Sequence, residues 1–141
     1  MTTRTVRPSS SYNLEIPVEA REDSDTTVSS YWIEGSPLLL QLSSYFRWEG
    51  KPPEAHTRLK ERIFDNRVHD WRIWDETLRC DASIDQASAE YVDETGILWL
   101  HTYLVWPHLT IHASVSGPPE LFQTEQNWAI RALESIRPTA H

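Results

Sequence analysis

The segment from Tyr91 to Gly117 constrains the fold most, because its residues describe a β-hairpin. Residues 97–106 are a run of strand formers, and the sequence Trp106-Pro107-His108 interrupts it. From Leu109 to Val115 the chain alternates strictly between apolar and polar residues, which is typical of a strand with one buried face. This hairpin predicts architecture and carries no catalytic signature of its own.

Further strands are predicted before the hairpin. Residues 12–18 and 38–48 carry apolar side chains at alternate positions, and residues 28–34 also read as a strand. Gly35-Ser36-Pro37 is typical of a turn between residues 28–34 and residues 38–48. Residues 68–78 and 87–93 also read as strands, although the first of them fits neither the strand period nor the helix period cleanly. We expect residues 19–27 to be a charged loop.

Two helices are predicted, one in the middle of the chain and one near its C-terminus. Pro53 suits the first turn of a helix that runs to about Asn66, in which Leu59 and Ile63 lie on one stripe. The second helix is expected to start at Pro118 and Pro119 and to run to about Ile136, with apolar residues repeating every three or four positions.

These elements predict an α+β fold. We expect an antiparallel sheet of five to seven strands with the two helices packed on it, in an α/β/α sandwich-like arrangement. Residues 12–138 are long enough for a single domain, and residues 1–11, which are rich in Thr, Ser and Arg, are expected to be a disordered tail.

Composition narrows the expected partners and the compartment. The formal net charge of −8 disfavours nucleic acid, because an acidic surface repels a phosphate backbone. No apolar run is long enough to cross a membrane. Arg4 and Arg7 are not followed by the apolar segment of a secretory signal, and the single cysteine, Cys80, agrees with a reducing compartment. We therefore expect a cytoplasmic protein whose partner is another protein, either a basic one or a second copy of this chain.

Few residues point to catalysis. Neighbouring carboxylates such as Asp93 and Glu94 would point to opposite faces of a strand, so they do not form an acid and base pair. No glycine that could help to form an oxyanion hole lies near Cys80 in the sequence. The four glycines of the chain are all placed at turns or strand ends, so no glycine-rich loop is available to bind a phosphate. No cofactor and no catalytic residue are predicted.

Three histidines of the hairpin suggest one alternative. His101, His108 and His112 are close in sequence, and imidazoles that converge across a hairpin can bind a transition metal. However, His112 shares a strand face with Thr110 and Ser114, whereas His108 lies in the turn. The pattern therefore does not require the three histidine side chains to meet. A metal site, and a metal-assisted enzyme built on it, is the least favoured hypothesis.

Arginine and tryptophan suggest a protein-binding surface. Arg47, Trp48 and Arg72 belong to the two residue types that most often dominate interface energetics. If all three are exposed on one face, they are a candidate hot spot. The alternative is that the arginine side chains lie along tryptophan rings at the edge of the core.

The order of elements also resembles a known group. A strand pair with the sequence Ser-Tyr-Trp-Ile-Glu-Gly-Ser-Pro-Leu-Leu-Leu-Gln-Leu-Ser-Ser-Tyr, then a helix, a meander and a last helix over residues 128–137, is similar to the PsbP-like α/β/α sandwich group. The resemblance spans about residues 12–137 and is topological. It implies a non-enzymatic adaptor, chaperone or assembly factor, and it carries no catalytic residue to this chain.

Two functional hypotheses follow from the sequence, besides the metal site. The first is a protein-binding module, such as an adaptor, a secretion chaperone or an immunity-type protein that acts through an acidic, aromatic-rich surface. The second is a small-molecule carrier with a cavity between helix and sheet that Trp and His side chains line.

Overall fold

The computed structural model describes residues 2–25, 27–65, 69–80 and 84–139, and it confirms the α+β class. Two antiparallel sheets and three helices make up the described part of the chain. The small sheet has the order β1-β2-β10, and the large one the order β3-β4-β5-β9-β8-β7-β6. The strands are β1 (Thr3–Ser9), β2 (Tyr12–Pro17), β3 (Arg21–Ser24), β4 (Ser29–Trp32), β5 (Leu39–Phe46), β6 (Arg72–Ile73), β7 (Asp85–Val92), β8 (Leu98–Val105), β9 (Leu109–Gly117) and β10 (Arg137–Pro138). The helices are α1 (Ala55–Asp65), α2 (Pro119–Phe122) and α3 (Trp128–Glu134).

The predicted hairpin is confirmed as β8 and β9. Leu104 faces Ile111 and Val105 faces Thr110 across it, and Trp106 and Leu109 close the turn with backbone hydrogen bonds of 2.8 and 3.3 Å. β5 joins the other side of β9, with Leu40 opposite Val115. The hairpin therefore lies inside the large sheet, and its alternating side chains define the two faces of that sheet.

The first face, the core face, is fully buried. Leu40, Leu100, Leu104, Ile111 and Val115 have no exposed surface and belong to the main hydrophobic cluster. That cluster also contains side chains of β2 and α3, which cover this face. Burying such side chains contributes roughly 1.5–3 kcal/mol each to folding, so the core face holds most of the apolar stabilisation.

The second face, the open face, is covered only in part, by α1. Ala55 and Leu59 are fully buried there and pack with Ala87, Ala89, Tyr103 and Val105. The helix is fixed at its start, where the Ala55 N–H donates a 2.8 Å hydrogen bond to Asp85 Oδ2 on β7. The predicted helix over residues 53–66 is thus present as Ala55–Asp65, and Asn66 lies outside the described residues.

Two predictions about the N-terminal part are wrong. Residues 1–11 were expected to be a tail, yet Thr3–Ser9 forms β1, because Val6 is buried opposite Leu14 and gives the segment an apolar anchor. Residues 19–27 were expected to be a loop, yet Arg21–Ser24 pairs with β4 at the edge of the large sheet. All four β3 residues are exposed, and charged residues of this kind are common on edge strands, where they discourage pairing with other chains.

Two other elements differ from the pattern-based expectation. The C-terminal helix is interrupted between Phe122 and Trp128, because Asn127 starts a new helix by accepting a 3.2 Å hydrogen bond from the Ile130 N–H. Of the strand expected over residues 68–78, only Arg72 and Ile73 pair, at the edge beside β7; Val68 lies outside the described residues. Among the described helices, none has the length and apolar character needed to cross a bilayer.

Candidate functional site

A groove lies between α1 and the open face of the large sheet. Its main cavity has a volume of about 520 Å³, with aromatic rings on the sheet side and charged side chains of α1 on the other. The rings are those of Trp71, Tyr91, Trp99, His101 and Tyr103. The charged side chains are those of Arg58, Glu61, Arg62 and Asp65.

A second cavity of about 290 Å³ continues the groove toward the end of β5. It shares Arg58, Arg62 and Tyr103 with the main cavity and adds Arg47, Thr110 and His112. Since the two cavities have three lining residues in common, we treat them as one groove with an aromatic end and an arginine-rich end.

Ring contacts hold the aromatic end together. Tyr91 stacks on His69 with centroids 4.0 Å apart and meets the Trp71 ring edge-on at 4.5 Å. Trp71 also contacts His101, with centroids 5.6 Å apart. Such pairs favour a fixed relative orientation of the rings, and each is worth roughly 0.5–1.5 kcal/mol beyond the buried area. The ring faces of the groove are therefore held in place before any ligand arrives.

The Trp99 ring is fixed by the turn between β7 and β8. Its Nε1 donates a 2.9 Å hydrogen bond to Asp93 Oδ2, and Asp93 Oδ1 accepts hydrogen bonds from Thr95 and Ile97. These bonds hold the pKa of the Asp93 carboxyl well below its usual range, so the carboxylate stays ionised.

His101 and His112 form a close pair on the floor of the groove. His101 Nδ1 lies 3.0 Å from His112 Nε2, and the ring planes differ by only 4°. Burial, together with the nearby Arg62 guanidinium, lowers the pKa of His101 to about 4 and that of His112 to about 3. Both imidazoles are therefore neutral at pH 7, and one ring N–H can donate to the other ring nitrogen.

Arg62 links the helix to this floor. Its Nε donates a 2.8 Å hydrogen bond to the Tyr103 hydroxyl, and its guanidinium carbon lies 5.8 Å from the centre of that ring. Tyr103 in turn stacks on His112 with centroids 4.8 Å apart. The arginine, the tyrosine and the histidine pair thus form one connected layer across the middle of the groove.

Of the three hairpin histidines, the structure brings only two together. His108 lies in the turn, where its Nδ1 donates to the Arg47 carbonyl oxygen at 2.9 Å. It is four residues from His112, which is roughly 13 Å along a strand. His108 therefore lies apart from the other two histidines, and the described residues contain no cluster of three or more His, Cys, Asp or Glu that could hold a metal.

The three residues of the predicted hot spot also lie apart. Trp48 follows β5 and is 79% exposed, and Arg47 beside it lines the arginine-rich end of the groove. Arg72 is on β6 at the far edge, where it pairs with Glu90 and Glu76. Since β9, β8 and β7 separate β5 from β6, the two positions are roughly 19 Å apart across the sheet. A single surface made of Arg47, Trp48 and Arg72 is not formed.

Sequence reasoning missed most residues of the groove. Arg58 and Arg62 are four positions apart on the polar side of α1, and that spacing alone places both on one helix face. Trp99, His101 and Tyr103 alternate on β8, which places them on one sheet face. Those two signals are local, whereas the fact that the two faces meet is a property of the tertiary structure.

Comparisons with known proteins give a likeness of fold. No protein-family model and no curated protein matches this chain. A Bacteroides thetaiotaomicron VPI-5482 protein with a crystal structure at 1.50 Å resolution is similar, with a TM-score of 0.59 and 8% sequence identity. The match covers 92% of this chain and 45% of that protein, so this chain spans less than half the length of that protein. At this identity the likeness concerns the fold alone.

Proposed function

We propose that the protein binds a small molecule with a planar aromatic part, which lies on the aromatic end of the groove. The observation that carries this proposal is the cavity of about 520 Å³ whose sheet side consists of aromatic rings. Ligand sites in proteins have volumes of roughly 300–1,000 Å³ and combine aromatic walls with a few placed polar groups. The groove has both properties, and the proposal concerns binding and assigns no reaction.

The neutral histidine pair supports the same proposal. Uncharged imidazoles add hydrogen-bonding capacity to the floor of the groove without the desolvation cost of a buried charge. Tyr103 and Arg62 place further polar groups beside the rings. A planar ligand could thus stack on the rings and receive a small number of directional hydrogen bonds.

Protein binding is a second candidate, favoured by one specific observation. Trp48 and Tyr45, at the end of β5, are 79% and 66% exposed, and large exposed aromatic side chains are typical of interface anchors. The partner would be a basic protein, drawn by the net charge of −8, in a cytoplasmic setting. The two candidates use different tryptophans, so variants can separate them.

Replacing Trp71 with alanine is expected to weaken small-ligand binding about tenfold, since loss of one stacked ring removes roughly 1.4 kcal/mol. The probe is 1-naphthaleneacetamide, an uncharged planar aromatic compound, titrated into the full chain by isothermal calorimetry. The far-ultraviolet circular dichroism of the variant should stay unchanged, because Trp71 is only partly buried and packs at the edge of the α1 cluster.

Trp48→Ala is the matched control, because it also removes an indole but does so outside both cavities. We expect its affinity for 1-naphthaleneacetamide to equal that of the wild-type protein. Equal losses in the two variants, or no binding by the wild-type protein, would refute the proposed function. Loss of a protein partner in Trp48→Ala alone would favour the second candidate.

A further inference from the structure

The arginine-rich end of the groove is basic, although the protein is acidic. The chain has 21 acidic and 13 basic residues, yet Arg47, Arg58 and Arg62 all line the second cavity, and none of the acidic residues that the structure describes does. The three cations come from two different elements: Arg47 follows β5, whereas Arg58 and Arg62 lie on α1. The fold therefore concentrates positive charge at one place where the composition alone would not.

Neighbouring carboxylates neutralise little of this charge. Arg58 has Glu61 at 3.5 Å, but both side chains are more than half exposed, so the pair is weak. Among the ion pairs of the described residues, none involves Arg47 or Arg62. Cations that converge without counter-charges repel one another, and a bound anion would relieve that repulsion.

Polar atoms without partners lie in the same wall. Arg47 Nε and Thr110 Oγ1 are buried, and neither has a hydrogen-bond partner among the described residues. A buried polar group left unpaired costs roughly 1–3 kcal/mol, so an acceptor that draws both side chains toward the cavity would recover this cost. The unpaired polar atoms and the excess of arginines are separate observations, and both indicate that the arginine-rich end of the groove suits an anion.

The Tyr103 hydroxyl adds a further donor. It accepts the hydrogen bond from Arg62 Nε, which leaves its own hydrogen for an acceptor on a ligand. The Ala55 N–H at the start of α1 already donates to Asp85, so it is not available to a ligand. The side-chain donors of this end surround a volume of about 290 Å³.

We propose that this end of the groove is an oxyanion subsite, in which Arg47, Arg62 and Thr110 hold the carboxylate or phosphate group of the ligand. This inference rests on the proposed function, since it gives the aromatic ligand an acidic group and a direction in the groove. The planar part lies over Trp71 and His101, whose rings are in contact, and the acidic group lies toward β5. Guanidinium groups suit this role, because their N–H donors match the geometry of carboxylate and phosphate oxygens.

The test compares 1-naphthaleneacetate with 1-naphthaleneacetamide, two probes of nearly equal shape that differ in charge. We expect the acetate to bind the wild-type protein about tenfold more tightly than the amide. In Arg47→Gln the ratio of the two affinities should fall toward one. Thr110→Val, which removes only the hydroxyl at nearly constant shape, should lower the ratio less, and it keeps the test decisive if Arg47→Gln does not fold.

Arg21→Gln is the matched control, because it removes one positive charge from β3 on the edge of the sheet, where Arg21 pairs with Glu34. Its affinity ratio should equal that of the wild-type protein. Equal affinity of the wild-type protein for the two probes would overturn the subsite and leave the proposed function standing. Binding of inorganic phosphate with no binding of the amide would support the subsite and overturn the aromatic site, and failure of all three probes would overturn both.

Discussion

Leu59→Ala is expected to lower the free energy of unfolding by about 2–5 kcal/mol, the range for truncating a fully buried leucine. Leu59 has no exposed surface and, together with Ala55, fixes α1 on the open face of the sheet. A helix of 11 residues is marginal without such packing, so the groove should be lost together with the contact. Urea unfolding followed by tryptophan fluorescence measures the change.

Lys60→Ala is the control for this prediction, since Lys60 is the next residue of α1 and is exposed. Its free energy of unfolding should change by less than about 0.5 kcal/mol. Leu59→Ala should also lose its affinity for 1-naphthaleneacetamide under conditions where the sheet remains folded. A variant of Leu59 with wild-type stability would show that α1 does not depend on the packing described.

Acid is expected to destabilise the protein between pH 7 and pH 5 through the histidine pair. The folded state lowers the pKa values of His101 and His112 to about 4 and 3, whereas an unfolded histidine titrates near 6.5. Below pH 6.5 the unfolded state therefore binds more protons, so the stability present above that pH is lost as the pH falls toward 4. At pH 5 the loss is about 2 kcal/mol for each histidine.

The control for the acid effect is the double variant His101→Gln, His112→Gln, in which neither position titrates. Its free energy of unfolding, measured in urea, should change between pH 7 and pH 5 by roughly 4 kcal/mol less than that of the wild-type protein. The comparison concerns the slope with pH, so any loss of stability at pH 7 in the variant does not affect it. Parallel pH profiles of the two proteins would contradict the burial of the pair.

The parts of the fold that sequence predicts well are those with a clear local period. β8 is a continuous run of strand formers, β9 alternates between apolar and polar residues, and α1 has its stripe at Leu59 and Ile63, so all three elements follow from local sequence. The pairing of β5 with β9 joins residues about 70 positions apart, and no local pattern contains it. β1 was missed because its one buried anchor, Val6, is surrounded by polar residues.

The site was less predictable than the fold, because it depends on which faces meet. His101 and His112 are diagonal neighbours in the register of the hairpin, since His101 faces Ser114 and Tyr103 faces His112. The sequence places His108 in the turn, and the structure adds that its ring donates to the Arg47 carbonyl oxygen there. Arg47 joins the arginines of α1 through the pairing of β5 with β9 and the position of α1 over the sheet, both of which are tertiary.

The most direct test of the account is to locate a neutral aromatic ligand on the protein. Indole N–H signals in ¹H–¹⁵N spectra, assigned with single Trp→Phe variants, can be followed while 1-naphthaleneacetamide is added. We predict saturable shifts at Trp71 and Trp99, which line the groove, and unchanged signals at Trp48 and Trp128, which lie outside it. Shifts confined to Trp48, or none at saturating probe, would contradict a ligand site between α1 and the sheet.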